Sequence, residues 1–293
     1  MNSLNGKVVL ITGAARGIGA GTARALHKRG CRLVLTDVDA APLDALAAEL
    51  GDRVLARVCD VTDLASMEQA AAAGVERFGG IDLVLANAGI ASYGSVLAVD
   101  PVAFRRVLDI NILGVFHTVR ATLPSVIERR GYILVVSSLA AFAAAPGLSA
   151  YNASKAGVEH FANALRLEVT HHGVAVGTAH MSWIDTPLVQ DAKQDLPAFQ
   201  EMLDGLPGPL SKTTSVDACV SAFVKGLSKR KRRVYVPGWV GAVSAMRSTL
   251  NSRGGDRETL KRVPTLLPRM DAEVAALGRS TSARYTVPDV SRP

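Results

Sequence analysis

The sequence predicts an α/β fold in which a doubly wound parallel sheet of about seven strands carries helices on both faces. Three observations predict it. Short apolar runs alternate with helix-like stretches, a glycine-rich turn follows the first apolar run, and small or polar residues end several of the others. Four strand–helix alternations fill the first 120 residues, which is typical of parallel strands joined by crossover helices. Ligands of such sheets bind at the carboxyl ends of the strands.

The composition is that of a globular protein with a large core. The chain has 293 residues, 48% of them hydrophobic, which is enough for one large domain. No apolar run is long enough to span a bilayer and no export signal is visible, so we expect a cytoplasmic location. The three cysteines are scattered and predict neither disulfides nor a metal site; we expect Cys31 and Cys59 to be buried, inert thiols.

The positive charge lies in the C-terminal part of the chain. Residues 1–227 carry 19 Lys and Arg against 21 Asp and Glu, whereas residues 228–293 carry 14 against 5. We therefore predict a catalytic domain over residues 1–238 and a basic, helical extension over 239–293. The favoured interpretation is a pair of helices packed on the domain or on a neighbouring subunit. Peripheral contact with an anionic membrane is the second. Nucleic-acid binding is the weakest, because the basic run has no interleaved aromatic residues.

The first strand, predicted over residues 7–11, runs into a glycine turn at 12–19 and then a helix that continues to Arg29. Glycines let the backbone approach a phosphate, and a helix N-terminus presents free N–H groups and a positive dipole end. This segment therefore predicts a pyrophosphate site. Its spacing, Gly-x-x-x-Gly-x-Gly, differs from the common dinucleotide fingerprint, so a plain strand–helix turn remains the alternative.

Two charged residues bear on the choice of cofactor. Asp37 ends the second predicted strand about 20 positions after the glycine turn, where a carboxylate accepts hydrogen bonds from the ribose hydroxyls of NAD. It would repel the extra phosphate of NADP. Arg16, inside the glycine turn, favours that phosphate. We weigh Asp37 more heavily and predict NAD, with NADP as the alternative.

Two further polar residues each have two interpretations. Asp60, after the third predicted strand at 54–58, either accepts a hydrogen bond from an adenine or caps the helix predicted over 63–78. Asn111 lies in a helix predicted from 101 past 123. There it either bonds to the backbone, which the residues alone favour, or holds a water for proton relay.

The side chains expected to carry the chemistry lie between the fifth and sixth predicted strands. Ser138 follows the fifth strand, residues 132–137, and Tyr151 and Lys155 lie four residues apart on one face of a helix predicted to end near 171. We expect Lys155 to lower the pKa of the Tyr151 phenol and Ser138 to hydrogen-bond a developing oxyanion. Such groups move a proton on and off an alcohol oxygen. The alternative is a core tyrosine beside a surface lysine.

The segment after the sixth predicted strand, residues 174–179, suits a substrate lid. Residues up to 214 combine Gly, Pro and Asp with apolar side chains, which predicts a mobile loop and short-helix region that closes over a substrate. With Trp183, it favours a hydrophobic secondary alcohol or ketone, for example one that is steroid-like, terpenoid or derived from a fatty acyl group. A last short strand is predicted at 234–236.

Together these features resemble the short-chain dehydrogenase/reductase family in its compact, single-domain form, over residues 5–238. The resemblance rests on the glycine turn 12–19, Asn87-Ala88-Gly89, Asn111, Ser138 and Tyr151-x-x-x-Lys155, which recur in the family's order and spacing. It implies a Rossmann-type fold and NAD(P)-dependent hydride transfer to or from a CH–OH group. It also implies a homotetramer or homodimer packed through the helices that contain Asn111 and Tyr151.

The resemblance also implies roles for individual residues. Tyr151 would be the general acid/base, Lys155 would lower its pKa and hold the nicotinamide ribose, and Ser138 would position the substrate oxygen. Asn111 would keep a relay water, and Trp183 would join Ser138 and Tyr151 at the substrate. The implied cofactor contacts are Gly13, Arg16, Gly17, Ile18, Gly19, Asp37, Asp60, Val61, Asn87, Ala88, Gly89, Ile184 and Thr186, with Tyr151 and Lys155. No metal is implied.

Two features depart from the family pattern. Met181-Ser182 stands where the family commonly has Pro-Gly, and residues 239–293 extend beyond a minimal member. The leading function is an NAD-dependent alcohol dehydrogenase. The alternatives are an NADPH-dependent ketoreductase of the 3-oxoacyl reductase kind and a catalytically silent nucleotide-binding scaffold.

Overall fold

The protein is built on a sheet of seven parallel strands. A computed structural model describes residues 4–250 and 252–285. The strands are β1 (Val8–Thr12), β2 (Arg32–Asp37), β3 (Val54–Val58), β4 (Leu83–Ala86), β5 (Tyr132–Val136), β6 (Ala175–Met181) and β7 (Arg233–Val236). Their spatial order is β3-β2-β1-β4-β5-β6-β7, and every neighbouring pair is parallel. The order reverses between β1 and β4, where doubly wound sheets open a ligand crevice. The predicted fold class is confirmed.

Helices cover both faces of the sheet and extend beyond its last strand. They are α1 (Gly17–His27), α2 (Ala40–Leu50), α3 (Leu64–Phe78), α4 (Pro101–Leu108), α5 (Gly114–Glu128), α6 (Ser149–Val169), α7 (Pro187–Asp195), α8 (Pro197–Asp204), α9 (Val216–Lys229), α10 (Val240–Ala245), α11 (Arg247–Leu250) and α12 (Arg253–Leu277). A π-helical turn, Asp109–Leu113, joins α4 to α5. The long helix predicted from residue 101 is therefore one run with a widened turn at Asn111.

The core consists of two apolar layers, one on each face of the sheet. On β1, Val9 and Ile11 pack with α1, α2 and α9, whereas Val8 and Leu10 pack with α3, α5 and α6. Successive strand residues point to opposite faces, so a strand covered on both sides reads as a continuous apolar run. Burial of each such side chain contributes about 1.5–3 kcal/mol. This continuity makes the central strands predictable from sequence.

The predicted strand ends differ from the observed ones by one or two residues. The first strand was expected at residues 7–11 and spans Val8–Thr12, and the sixth, expected at 174–179, spans Ala175–Met181. Ile81 is fully buried although it precedes its strand. An apolar residue just before a strand can thus be buried without joining the strand's backbone hydrogen bonds. Hydrophobicity alone therefore does not mark the residue at which a strand begins.

One helical run, Pro101–Glu128, is long and apolar enough to cross a membrane by length and composition alone. About 44% of its apolar window is buried within the domain, and α5 packs against α3 and β4. An amphipathic core helix of a globular domain passes the same test. The burial identifies this run as such a helix.

The cysteines are buried and free. Burial raises the pKa of Cys31 to about 11 and that of Cys219 to about 12, and it also raises the pKa of Cys59. A raised pKa disfavours the reactive thiolate, as predicted for Cys31 and Cys59. No group of three or more His, Cys, Asp or Glu side chains suited to a metal occurs within residues 4–250 and 252–285.

The C-terminal extension contains three helices, where a pair was expected. Val240 is fully buried beside Phe142, whereas Met246 is 56% exposed. A turn at Met246 separates α10 from α11, and the Ser252 hydroxyl caps α12 by accepting a hydrogen bond from the Gly255 N–H at 3.3 Å. The first half of α12 is exposed and its second half is packed on the domain. Residue 251 and residues 286–293 of the extension lie outside the described residues.

Candidate active site

Two adjoining cavities open at the carboxyl edge of the sheet. The large cavity, about 410 Å³, runs from Asp37 at the end of β2 to Tyr151 and Lys155 on α6. The small cavity, about 120 Å³, lies between Ser138 and Phe199. The residues that line both are Ile18, Tyr151, Met181, Thr186 and Leu188. The parallel strands bring these distant segments to one place because all their carboxyl ends lie at the same edge.

The glycine turn gives the large cavity a bare backbone wall. Gly13 and Gly17 have φ angles of +64° and +54°, a region that favours glycine. A Cβ on Gly13 would lie 2.9 Å from the Cα of Ala88, and a Cβ on Gly19 would collide with the carbonyl oxygen of Gly13. Helix α1 begins at Gly17, so its first N–H groups have no partners within the helix. Gly13, Gly17 and Ile18 line the cavity, whereas Gly19 supports it from behind.

Two carboxylates stand at the end of β2. Asp37 accepts hydrogen bonds from the backbone N–H groups of Ala15 at 2.9 Å and Asp39 at 3.1 Å. Asp39, which the sequence analysis missed, lines the same cavity and forms a salt bridge with Arg16. The guanidinium predicted to favour NADP therefore already has a carboxylate partner. The sequence feature that could have indicated Asp39 is its position, two residues after Asp37 at the end of the strand.

Asp60 is held by its own loop and by a partner from α4. Its carboxylate accepts hydrogen bonds from the N–H and hydroxyl of Thr62, each at 2.8 Å, and lies 3.5 Å from the Arg106 guanidinium. The helix cap at this place is Asp63, which accepts from the Ala65 N–H at 2.9 Å, so the capping alternative for Asp60 was wrong. Asp60, Val61 and Arg106 all line the large cavity. Arg106 was missed because nothing in its helical segment distinguishes it from a surface arginine.

The end of β4 is tied to the end of β1. The Asn87 side chain donates to the carbonyl oxygens of Thr12 and Gly13, both at 3.0 Å, while the Thr12 hydroxyl accepts from the N–H groups of Asn87 and Ala88. These bonds fix the glycine turn against β4. Gly89 is confined as well, since a Cβ there would lie 3.2 Å from Asn111 Oδ1 and 3.3 Å from Lys155 Nζ.

Ser138, Tyr151 and Lys155 meet at the boundary of the two cavities. The Ser138 hydroxyl accepts a hydrogen bond from the Ala140 N–H at 3.2 Å and donates to the Met181 carbonyl at 3.4 Å. Burial raises the pKa of the Tyr151 phenol, and the neighbouring Ser138 hydroxyl opposes that rise. The lowering expected from Lys155 stays a prediction.

Lys155 is positioned by the backbone of β5. Its ammonium donates to the Val136 carbonyl at 3.1 Å and lies 5.5 Å from the centre of the Tyr151 ring. The side chain is buried, and burial lowers its pKa to about 8. Lys155 remains mostly protonated at neutral pH. The ammonium and the phenol share no direct hydrogen bond among the described contacts, so the effect of Lys155 on the Tyr151 pKa stays a prediction.

Three hydrogen bonds hold the Asn111 side chain in place. It accepts from the Ile90 N–H and donates to the Ile90 carbonyl and the Ser154 hydroxyl, each at 2.9 Å. The residue is completely buried in the π-helical turn. This is the backbone-bonding interpretation of the sequence analysis. These bonds leave one lone pair of Oδ1 for a further donor, so the relay-water role implied by the resemblance stays a prediction.

A buried histidine behind Ser138 was not anticipated. Arg233 donates to the Thr178 hydroxyl at 2.9 Å, that hydroxyl lies 2.9 Å from His180 Nε2, and His180 Nδ1 lies 3.3 Å from the Ser138 carbonyl oxygen. A guanidinium only donates and a carbonyl only accepts, so the Thr178 hydroxyl donates to Nε2 and the proton of the neutral ring is on Nδ1. Burial lowers the pKa of His180 to about 4. No motif marks His180 in the sequence.

The small cavity has mostly apolar walls. Trp183, predicted to contact substrate, lines it and meets the Phe199 ring edge-on at 5.6 Å between centroids, and Phe199 in turn meets Tyr93 at 5.5 Å. Ile184, predicted as a cofactor contact, lines this cavity and not the large one; Thr186 lines both. Met181 and Ser182, which replace the family's Pro-Gly, line it too, with Met181 continuing β6.

The residues present fit a dinucleotide. The large cavity has the size of a typical small-molecule site. A glycine wall and the start of α1 suit a pyrophosphate, and the Asp37 carboxylate suits ribose hydroxyls. Tyr151 and Lys155 stand at the other end of the same cavity. The arrangement thus has one part that suits a nucleotide and another whose side chains suit proton transfer.

Comparison with known proteins agrees with this geometry. The short chain dehydrogenase family model matches residues 7–197. An uncharacterized NAD-dependent oxidoreductase of Mycobacterium tuberculosis is 35% identical over 207 residues, 64% of this chain and 75% of that protein. The oxidoreductase SadH of the same organism is 36% identical over 246 residues, 80% of this chain and 88% of that protein. The NADH complex of 3-ketoacyl-(acyl-carrier-protein) reductase from Brucella melitensis has a TM-score of 0.70 at 29% identity, covering 80% of this chain and 98% of that one.

The match spans well over half of the chain, and the fold and site agree with it. The chain belongs to the short-chain dehydrogenase family and is an oxidoreductase.

Proposed function

We propose that this protein catalyses NAD-dependent hydride exchange between a nicotinamide and a hydrophobic secondary alcohol or ketone. One observation carries the proposal: Tyr151 lines both the dinucleotide-sized cavity and a smaller apolar one, which Ser138 also lines. A substrate in the small cavity and a nucleotide in the large one would both reach this phenol. A silent scaffold would not need these groups assembled at the junction.

The chain's own residues supply the proton chemistry. When bound, the nicotinamide supplies or accepts the hydride. During reduction Tyr151 gives its hydroxyl proton to the carbonyl oxygen, and during oxidation it takes the alcohol proton. Ser138 hydrogen-bonds the same oxygen as charge develops. Lys155 provides a buried positive charge beside the phenolate that reduction leaves. Because burial raises the pKa of Tyr151, the neutral phenol dominates at pH 7 and oxidation is expected to accelerate as pH rises.

NAD is favoured over NADP by the two carboxylates at the end of β2. Asp37 and Asp39 both face the part of the cavity that suits the adenosine ribose, and Asp39 occupies Arg16. The similarity to a protein whose structure holds NADH supports the same choice. An NADPH-dependent reductase of the 3-oxoacyl kind is the second candidate. Tighter binding of NADPH than of NADH in a calorimetric titration would make it the lead.

Replacement of Tyr151 tests the mechanism. In Tyr151→Phe, turnover of a panel of secondary alcohols, followed by NADH absorbance, should fall by about 10²–10⁴, the usual contribution of a general acid/base. NADH affinity should be unchanged. Tyr235→Phe is the control, because Tyr235 lines neither cavity. Turnover of Tyr151→Phe within twofold of the unaltered enzyme would remove the residue from the mechanism.

We further propose that the enzyme is a cytoplasmic homodimer or homotetramer. Leu113, Phe116 and Leu167, on the helical run of Asn111 and on α6, are 40–67% exposed, which supports association through this face. Sedimentation equilibrium measures it. Peripheral membrane contact stays a prediction for the exposed half of α12, to be checked by sedimentation with anionic liposomes.

A further inference from the structure

The strap, defined here as residues 266–284, crosses two walls of the small cavity. One wall is the lid, α7 and α8; the other is the post-β4 loop, residues 89–100. Met270 and Val274 of the strap are buried in one apolar cluster with Phe199 and Leu203 of the lid and Tyr93 of the loop. The two residues lie four apart, so one face of α12 packs against both walls.

Charged side chains tie the strap to the lid along its length. Glu273 accepts hydrogen bonds from the Ala198 N–H at 3.0 and 3.1 Å, in the first turn of α8, where a carboxylate also complements the helix dipole. Further ties join Arg269 to Glu201 at 2.6 Å, Arg279 to Asp195 at 2.8 Å, and Arg284 and Ser282 to Asp191, each at 2.7 Å.

Backbone bonds tie the strap to the post-β4 loop. The Ser280 carbonyl accepts from the Tyr93 N–H at 2.7 Å, and its hydroxyl accepts from the Asp100 N–H at 3.0 Å. Asp271 accepts from the Ser95 N–H at 2.7 Å. Thr281 forms an antiparallel bridge with Ser92. The strap is thus fixed to both walls by independent bonds.

The two walls face each other across the small cavity. Tyr93 of the loop and Leu188, Val189 and Phe199 of the lid line it, and within the described chain no strap residue does. The strap therefore acts on the cavity only through the walls. The cavity, at about 120 Å³, is much smaller than the ~300–1,000 Å³ of sites for drug-sized ligands.

We propose that the strap determines substrate size by holding the lid against the post-β4 loop, so that the enzyme accepts compact apolar secondary alcohols and ketones and excludes polycyclic ones. The proposal rests on the proposed function and narrows its substrate class: the steroid-like candidates are excluded while the strap is bound. The strap residues are positioning residues. They hold Phe199 and Tyr93 and touch no substrate.

Matched variants on α12 test the proposal. Glu273→Ala removes a tie to the lid, whereas Glu258→Ala removes a carboxylate that pairs only with Lys261 of the same helix among the described contacts. Met270→Ala removes a buried side chain, whereas Leu260→Ala shortens one that is 62% exposed. Two pairs keep the test valid should one strap variant fail to fold.

The first readout does not depend on turnover. Amide hydrogen exchange of residues 187–204, followed by mass spectrometry, should accelerate about tenfold in Glu273→Ala and Met270→Ala and stay unchanged in the controls. NADH affinity should stay within about twofold in all four. Unchanged lid exchange in both strap variants would overturn the strap's role.

The second readout is the turnover of secondary alcohols of increasing size. The series consists of an acyclic butanol, cyclohexanol, a decalin alcohol and a steroid alcohol. The unaltered enzyme should prefer the first two, and the strap variants should gain about tenfold in relative kcat/KM for the larger ones. Efficient turnover of the steroid by the unaltered enzyme would overturn the proposal. Turnover of no alcohol or ketone, with NADH bound, would instead overturn the proposed function, while lid exchange would still decide the strap's role.

Discussion

The cofactor side and the substrate side of this site differ in the groups that line them and in the segments that hold those groups in place. The large cavity has one backbone wall from a single strand–turn–helix unit, with Gly13 and Gly17 in conformations that favour glycine, and its other walls come from the neighbouring strand ends and helices. The small cavity is walled by side chains on segments held by a third segment far along the chain; Asp271 and Ser95 are 176 residues apart. The difference teaches that nucleotide binding and substrate choice depend on separate contacts. Changes to one should spare the other.

Among the variants that separate the two sides, Gly19→Ala has the largest expected effect, and it changes the cofactor side alone. Its Cβ would collide with the Gly13 carbonyl and displace the turn. NADH affinity, measured by nicotinamide fluorescence, should fall about 100-fold, as expected when a binding backbone moves by about an ångström. Exchange of the lid amides should not change.

Gly238→Ala is the matched control, because a Cβ at that position meets nothing within 4 Å. Retained NADH affinity in Gly19→Ala would show that the turn tolerates displacement and that the backbone wall is not what binds the nucleotide.

A smaller effect is expected from replacing His180, which lies behind Ser138 on the substrate side of the site. His180→Ala removes the donor that holds the Ser138 carbonyl. We expect kcat to fall about tenfold with KM and NADH affinity nearly unchanged, because one buried hydrogen bond is lost. His180→Asn should recover most of kcat, since its amide N–H replaces Nδ1–H.

A purely structural role of His180 would lower the amount of folded enzyme and leave kcat per folded molecule intact. Equal kcat loss in His180→Asn and His180→Ala would also contradict the positioning role, because the first variant retains a donor.

The same histidine predicts a pH dependence of stability. Its pKa falls from an ordinary value of 6.5 to about 4 on burial, so between these values the unfolded chain binds the proton more readily than the folded one. The resulting contribution of His180 to the free energy of unfolding is fully present above pH 6.5 and is lost as pH falls towards 4. It amounts to roughly 3 kcal/mol. Urea unfolding at pH 7, 5.5 and 4.5 should show this decline, and His180→Asn should flatten it. Parallel declines in both proteins would assign the effect to other groups.

What could be predicted from the sequence follows the same division. The glycine turn, Asp37, Ser138 and the Tyr151–Lys155 pair are predictable because each lies in a local pattern of strand end or helix face. The five predicted motifs were therefore assigned to the correct strand ends and helices. Strand ends shifted by one or two residues, because burial precedes the ladder at Ile81.

The remainder depends on contacts that no local pattern encodes. The hydrogen-bonded position of His180 depends on Arg233, which lies 53 residues later in the sequence. Arg233 donates to the Thr178 hydroxyl across the sheet. The strap's contact with Tyr93 is likewise invisible in sequence, since Ser280 looks like any small residue near a helix end. The expected influence of Lys155 on the Tyr151 pKa stays a prediction for a related reason: spacing on a helix gives the face of a side chain, but burial and backbone bonds decide where its charge lies.

The smallest expected effect tests whether side chains contribute to the cofactor side at all. Asp39→Asn removes the charge that pairs with Arg16, while Asp37 and its bond to the Ala15 N–H remain. An exposed ion pair is worth about 0.2–1 kcal/mol, so releasing Arg16 should improve NADPH affinity by about two- to fivefold and leave NADH affinity almost unchanged. Calorimetric titration with both nucleotides measures it, with Asp44→Asn on the exposed face of α2 as the control. A larger gain would mean that Asp39, not the Asp37 carboxylate, is the main barrier to NADPH. No gain would leave cofactor choice to Asp37 and the backbone around it.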